Sequence, residues 1–167
     1  VDSKKKGFNR SVLVIVIDNC SKKIIGYAIG HTENSEIIKN AIRKAVDNTG
    51  VLPFELVMDH HSFTKTKAAV NFETLLTNVG SILTKTSNPQ HKAIIERYFQ
   101  KIDLFCKQYS GWLGKNVRSK SIENIATDEQ YAKYAKEFKS HSEVISIATS
   151  VIEKYNKKKK KTLNNLS

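Results

Sequence analysis

The chain has 167 residues, enough for one domain that buries a real hydrophobic core. No apolar run approaches the roughly 18 residues that span a bilayer. The chain has two cysteines, Cys20 and Cys106, which are far apart in sequence and argue against a disulfide framework and a cysteine-based zinc site. The net charge is +12, of which five charges lie in Lys157–Lys161, so the remaining body is still basic. A basic body favours a nucleic-acid partner, with solubility or a membrane-surface role as the alternative explanation of the charge.

The N-terminal part of the sequence predicts three neighbouring strands. The continuous apolar run Val12–Ile17 indicates a strand buried on both faces. Turn-forming residues follow, and Ile24–Ile29 then indicates a second strand that forms a hairpin with the first. Val1–Ser3 is predicted to be the end of a preceding strand. The N-terminus shows no signal-peptide pattern, and we expect the sequence to be a fragment of a longer protein.

The remainder alternates between helices and strands. Residues Thr32–Ser35 offer helix N-caps, and apolar residues then recur at helical spacing up to Thr49-Gly50. Further elements are predicted as a strand at Phe54–Met58, a helix at about 66–78 stopped by Gly80, a strand at Ser81–Thr84, a helix from Pro89, and C-terminal helices at about 128–139 and 142–155. This order predicts an α/β domain over residues 1–156, with a mixed five-stranded sheet flanked by helices, and a lysine-rich linker or tail at 157–167.

Three carboxylates are candidates for a metal site. Asp59 directly follows an apolar strand, Asp2 lies in the predicted first strand, and Glu96 lies on the helix that begins at Pro89. Carboxylates are the ligands that Mg²⁺ prefers, and a pair of such ions activates an attacking oxygen and stabilises a leaving oxygen at phosphorus. From the residues alone, Asp59 is also interpretable as a strand-end turn residue, and Glu96 as a surface acid paired with Lys92.

Three segments carry a resemblance to a known family. Ile24–Asn34, Leu56–Asp59 and Ser87–Arg97 resemble the phage Mu transposase group of the transposase and retroviral-integrase superfamily, and 36 residues separate Asp59 from Glu96, as is usual in that family. The resemblance implies an RNase H-like fold and a DDE-type polynucleotidyl transferase. It also implies that Asp2, Asp59 and Glu96 bind two Mg²⁺ or Mn²⁺ ions for DNA nicking and strand transfer.

The identity of the first carboxylate has two candidates. Asp18 ends the strongest predicted strand, but in the family the first catalytic aspartate lies in the preceding strand, which corresponds to Asp2. We therefore favour Asp2 and keep Asp18 as the alternative.

Several further residues are candidates for DNA contacts. His60 and His61 stand where relatives often have Asn-Gly, and they are interpreted either as loop variation or as a contact to the metal site or a phosphate. Lys92 lies one turn before Glu96, with a DNA phosphate or Glu96 as its alternative partners. Lys115 and Arg118 belong to a loop whose Trp112 either stacks on a base or anchors the loop by burial.

The predicted partners are the DNA ends of a mobile element and target DNA. Because two ends must be joined, we expect a homo-oligomer in the DNA complex, acting in a bacterial-type cytoplasm or on the nucleoid. Two alternatives remain open: an RNase H-like nuclease that only hydrolyses DNA, and a catalytically inactive relative that binds DNA.

Overall fold

The computed structural model describes residues 11–59, 67–86, 89–109 and 135–164. The chain divides into two compact units, one comprising residues 11–96 and the other built around residues 97–167. Within the described ranges, no helix is both long and apolar enough to cross a membrane.

The first unit begins with the predicted hairpin. Strand β1 spans Val12–Ile17 and strand β2 spans Ile24–Gly30, and they pair antiparallel with Val12 opposite Gly30. A register shift at Val16/Ile17 marks an irregularity next to the turn. All six residues of β1 are only partly buried, so the expectation of a strand buried on both faces is wrong. Among the described residues, no further strand pairs with β1 or β2 to complete that burial.

Helix α1, Ser35–Thr49, has a well-defined cap at each end. The Asn34 side chain accepts hydrogen bonds from the backbone N–H groups of Glu36 and Ile37, both at 3.0 Å. At the other end Gly50 has a φ of 72°, and its N–H donates to the Val46 carbonyl at 2.7 Å. This single bond from a left-handed residue is the αL type of helix ending. The predicted start within Thr32–Ser35 and the predicted end at Thr49-Gly50 are confirmed.

Helix α1 packs closely on β2. Five of the six apolar residues that recur at helical spacing are buried, and the sixth, Val46, is only partly buried. The buried five are Ile37, Ile38, Ala41, Ile42 and Ala45. A Cβ atom added at Gly26 of β2 would lie 2.3 Å from the Ala41 carbonyl oxygen, so only glycine fits at this crossing. The helix and the hairpin therefore share one tightly packed layer.

A β–α–β segment completes the first unit. Strand β3 spans Glu55–Asp59, helix α2 spans Lys67–Asn78, and strand β4 spans Ile82–Thr86, which pairs parallel with β3. Leu56, Met58 and Phe72 of this segment pack against the apolar cluster of α1. Helix α2 ends as predicted at Gly80, which has a φ of 79°.

Backbone hydrogen bonds explain how α2 gives way to β4. The N–H of Gly80 donates to the Thr77 carbonyl and the N–H of Ser81 to the Leu76 carbonyl, which together form a Schellman motif. The buried Ser81 hydroxyl then donates to the Pro53 carbonyl at 2.6 Å. This bond joins the start of β4 to the residues just before β3.

The second unit is helical in its described part. Helix α3 spans Pro89–Cys106; its residues up to Glu96 belong to the first unit and those from Arg97 on belong to the second. Helix α4 spans His141–Asn164, and a single 3₁₀ turn lies at Ala135–Glu137. The buried residues of this unit come from both long helices: Tyr98, Ile102, Val151, Ile152 and Tyr155. Of the helix predicted at 128–139, the described part holds only the 3₁₀ turn, and residues 128–134 lie outside the described residues.

Helix α4 begins with a capping box that the sequence reasoning missed. The Ser140 N–H and hydroxyl both donate to Glu143 Oε2, at 2.8 and 2.7 Å, and the Glu143 N–H returns a bond to the Ser140 hydroxyl. Hydrogen bonds from the hydroxyl and backbone of Ser140 lower the pKa of Glu143. The motif was visible in the sequence as a serine followed three residues later by a glutamate.

The predicted RNase H-like, five-stranded mixed sheet is wrong. The described residues form four strands in two separate two-stranded sheets, β1–β2 antiparallel and β3–β4 parallel, together with four α-helices. The strand predicted at Val1–Ser3 lies outside the described residues. The expectation joined neighbouring strands into one sheet, but apolar patterning fixes which face of a strand is buried and leaves open which edges pair.

Candidate active site

The carboxyl ends of β3 and β4 lie at one edge of the parallel sheet. Asp59 is the last residue of β3, and its register partner is Thr86, the last residue of β4. Neighbouring strands are about 4.8 Å apart, so the two strand ends are adjacent. In open α/β sheets, ligands bind outside the carboxyl ends of parallel strands. This edge is therefore the natural position for a site in the first unit.

Helix α3 follows β4 almost directly and carries the second predicted carboxylate. It begins at Pro89, three residues after Thr86, and Glu96 is exposed to solvent on it. At 1.5 Å per residue, Glu96 lies about 10 Å along the helix from its first residue. Lys92, one turn earlier, belongs to the same helix, but its side chain lies outside the described part. The topology thus leads from the sheet edge into the helix that bears Glu96.

An ion pair lies next to this edge. Lys85 immediately precedes Thr86 on β4, and its Nζ contacts Glu73 Oε2 of α2. The side chains of Lys85 and Glu73 are 27% and 40% exposed, so water screens the pair only in part. The pair ties α2 to the end of β4. Sequence reasoning missed it because the two residues belong to different elements, and no local spacing rule brings them together.

The opposite face of the same sheet has its own polar contact. The Thr84 hydroxyl donates to the Glu55 carboxylate, and both residues point away from Leu56 and Met58, which pack on α1. Val57 shares this second face and is 40% exposed. The parallel sheet therefore has one face that packs on α1 and α2 and one face that carries both polar and apolar side chains and is partly exposed.

The described residues also bear on Asp18, the alternative first carboxylate. Its carboxylate accepts the Ser21 N–H at 2.7 Å and the Cys20 N–H at 3.4 Å, within the turn that joins β1 to β2. Its backbone completes the turn, since the Asp18 N–H donates to the Lys23 carbonyl and the Asp18 carbonyl accepts from the Lys22 N–H. Lys22 has a φ of 59°, in the left-handed region that such a turn requires.

These bonds explain the electrostatic state of Asp18. Hydrogen bonds from the Ser21 side chain and backbone, followed by one from the Cys20 backbone, lower the pKa of this carboxyl and outweigh the opposing effect of burial. The turn thus gives Asp18 a structural role that requires no metal ion. Asp2 remains the favoured first carboxylate, as predicted from the resemblance.

Most of the other predicted site residues are not among those described. Asp2, His60, His61, Lys115 and Arg118 lie outside the described residues, as does the side chain of Asp59. Among the described side chains, no group of three His, Cys, Asp or Glu residues is close enough to hold a metal ion. Because that set lacks Asp2 and the Asp59 side chain, the metal site formed by Asp2, Asp59 and Glu96 stays a prediction.

Comparison with known proteins adds no family assignment, since no protein-family model and no curated protein matches the chain.

Proposed function

We propose that this protein is the catalytic part of a DNA transposase or integrase of the DDE type, which nicks DNA at an element end and joins the freed 3′ hydroxyl to target DNA. In this proposal Asp2, Asp59 and Glu96 hold two Mg²⁺ or Mn²⁺ ions. The partners are the element ends and the target DNA, which a homo-oligomer brings together. The proposed compartment is the cytoplasm, where the protein acts on nucleoid DNA.

One structural observation supports the proposal more than any other. Asp59 ends β3 at the edge where β4 also ends, and the chain passes from there into α3, on which Glu96 is exposed. The resemblance pairs these two carboxylates, with 36 residues between them. Asp59 thus ends a strand beside β4, and Glu96 lies on the helix that follows β4 in the chain. The net charge of +12 also supports the proposal, because a basic protein attracts a polyanion such as DNA.

The donor set fits a hard divalent cation. Carboxylate oxygens are the ligands that Mg²⁺ prefers, and it keeps water and phosphate oxygens in its remaining positions. When bound, a pair of such ions activates the attacking oxygen and stabilises the leaving oxygen at phosphorus. The protein's own contribution is to fix the carboxylates: Asp59 by the backbone ladder of β3 and β4, and Glu96 by α3.

The proposal is tested by nicking of supercoiled plasmid DNA in Mn²⁺, which requires no knowledge of the end sequence. Asp59→Asn and Glu96→Gln are expected to lower the nicking rate by at least a hundredfold, about 3 kcal/mol in activation free energy. Both substitutions keep size and polarity, so the circular dichroism spectrum should not change. Undiminished nicking by both variants would refute the assignment.

A matched pair of substitutions separates the two candidates for the first carboxylate. Asp2→Asn should abolish nicking, whereas Asp18→Asn should preserve it, because asparagine still offers an oxygen to the N–H groups of Ser21 and Cys20. The reverse result would assign the role to Asp18.

A strand-transfer assay separates joining from hydrolysis. A labelled oligonucleotide duplex with a recessed 3′ hydroxyl is incubated with plasmid and Mn²⁺, and covalent joining of label to plasmid is scored. Nicking without joining would favour the nuclease that only hydrolyses. Binding without any metal-dependent nicking by the unaltered protein would favour the inactive DNA-binding relative.

A further inference from the structure

Six large apolar side chains are exposed at the amino-terminal end of the parallel sheet, opposite the edge where Asp59 and Thr86 end their strands. Their exposed fractions lie between 50% and 78%, and Phe54 has the highest value. Here called the sheet-end patch, they are Val51, Leu52, Phe54, Leu75, Val79 and Ile82. Single apolar residues are ordinary on a protein surface, but a contiguous group of this kind marks an interaction site.

Hydrogen bonds hold the two chain segments of the patch side by side. The Ile82 N–H donates to the Phe54 carbonyl at 2.9 Å, and the Ser81 hydroxyl donates to the Pro53 carbonyl at 2.6 Å. The exposed side chains of Phe54 and Ile82 are therefore fixed next to each other at the point where β3 and β4 begin.

The other members of the patch adjoin these two segments in the chain. Val51 and Leu52 directly precede Pro53. Val79 lies in the turn after α2, one helical turn after Leu75, and its N–H donates to a carbonyl of that helix at 3.1 Å. The patch is thus one surface on a backbone that is already ordered, so binding a partner there costs little conformational entropy.

The patch has the apolar area that a stable dimer needs. With about 200 Å² for a fully exposed phenylalanine and about 110 Å² for an aliphatic side chain, the exposed fractions correspond to roughly 450 Å². A standard interface buries about 800 Å² on each partner, of which about 57% is apolar, and this is again roughly 450 Å². A partner that presents an equal apolar area would complete an interface of standard size.

The patch and the residues around it lack positive charge. Residues 45–57 and 70–84, which contain the whole patch, include no Lys, Arg or His, although the chain has 28 Lys and Arg residues. The acids in these two segments are Asp47, Glu55 and Glu73. Two of the three acids already bond to side chains of β4. DNA and anionic membranes both attract cations to their contacts, so this surface suits a protein partner better.

An uncharged apolar surface is complementary to itself. In a dimer with twofold symmetry the same patch meets its own copy, and no charge has to find an opposite charge across the interface. The net charge of +12 opposes association in general, but the cations lie outside these two segments, and physiological salt screens exposed charges beyond about 8 Å.

We propose that the sheet-end patch is the interface of a symmetric homodimer that forms without DNA. The inference goes beyond the proposed function and does not depend on it, because it requires neither DNA nor a metal ion.

The test is sedimentation equilibrium of the whole chain without DNA or divalent metal, at concentrations on both sides of about 1 μM, the weak end of affinities for interfaces of this size. The unaltered protein should pass from monomer to dimer in this range or below it. A protein that is still monomeric at about a hundred times that concentration would overturn the inference.

A matched pair of variants locates the interface. Val51→Ser with Phe54→Ser removes the two most exposed members of the patch, and the dimer Kd should rise at least about tenfold. Val70→Ser with Leu104→Ser removes apolar side chains of similar exposure outside the patch, and the dimer Kd should change by less than about threefold. An equal effect of the two variants would overturn the assignment to this surface.

Two further measurements distinguish the dimer from other uses of the patch. Urea unfolding at a concentration where the protein is monomeric should give the same midpoint for the patch variant and the unaltered protein. A clearly lower midpoint would show that the patch is covered within one chain and would overturn the inference. Flotation with phosphatidylcholine vesicles that the patch variant loses, without any dimer in solution, would assign the patch to a membrane instead.

Discussion

Replacing Gly26 by alanine tests the closest contact in the first unit. The added Cβ would lie 2.3 Å from the Ala41 carbonyl oxygen and 2.6 Å from both Cβ and N of Ala45. Ordinary contacts of this kind are about 3.5 Å or longer, so helix α1 would have to move by about 1 Å. The clashing atoms include backbone, which no rotamer change can relieve. We therefore expect a destabilisation of about 3 kcal/mol, at the upper end of the usual cost of overpacking.

Urea unfolding followed by circular dichroism measures this cost. With a slope of about 1–3 kcal/mol per molar urea, a loss of about 3 kcal/mol should lower the midpoint by about 1–3 M. Gly80→Ala serves as the control, because a Cβ there meets nothing within 4 Å and only the positive φ of 79° is penalised. That penalty is about 1–2 kcal/mol. If Gly26→Ala cost less than Gly80→Ala, the packing of α1 on β2 described above would be refuted.

Three further predictions concern the hairpin turn, the start of α4 and the cysteines. Because the folded pKa of Asp18 is lowered, its turn stabilises the protein above the unfolded pKa of about 3.9, and this contribution is lost as pH falls through the folded pKa. In that acid range, the urea midpoint of the Asp18→Asn variant should therefore depend less steeply on pH than the midpoint of the unaltered protein. An equal pH dependence of the two midpoints would contradict this prediction. Ser140→Ala removes the hydroxyl that bonds with Glu143, so thermal unfolding should show a loss of about 1 kcal/mol, and an unchanged melting temperature would argue against the capping box. Burial, followed by the charge of Asp103, raises the pKa of Cys106 to about 11. Mass spectrometry after brief iodoacetamide treatment at pH 8 should therefore find the exposed Cys20 alkylated well before Cys106. Equal alkylation rates for the two cysteines would contradict the described burial of Cys106.

The sequence alone determined the elements whose signals are local. Helix α1 was predicted with its cap region, its end at Gly50 and its buried face, except that Val46 is only partly buried. Side-chain spacing, an N-cap and a left-handed glycine all act within a few residues, so these features could be predicted locally. The hairpin followed from two apolar runs separated by turn residues. Local signals also predicted that Asp59 lies at the end of a strand and that Glu96 lies on a helix.

Only the tertiary structure decided how the strands pair. Every residue other than proline offers the same backbone donor and acceptor, so nothing in β1 or β3 specifies its neighbour by sequence, and a mixed five-stranded sheet was the wrong inference. The ion pair between Glu73 and Lys85 likewise depends on how α2 lies along β4. Asp18 was ambiguous for a related reason: its residue type suits both a metal ligand and a turn, and only the distances to Ser21 and Cys20 show the turn.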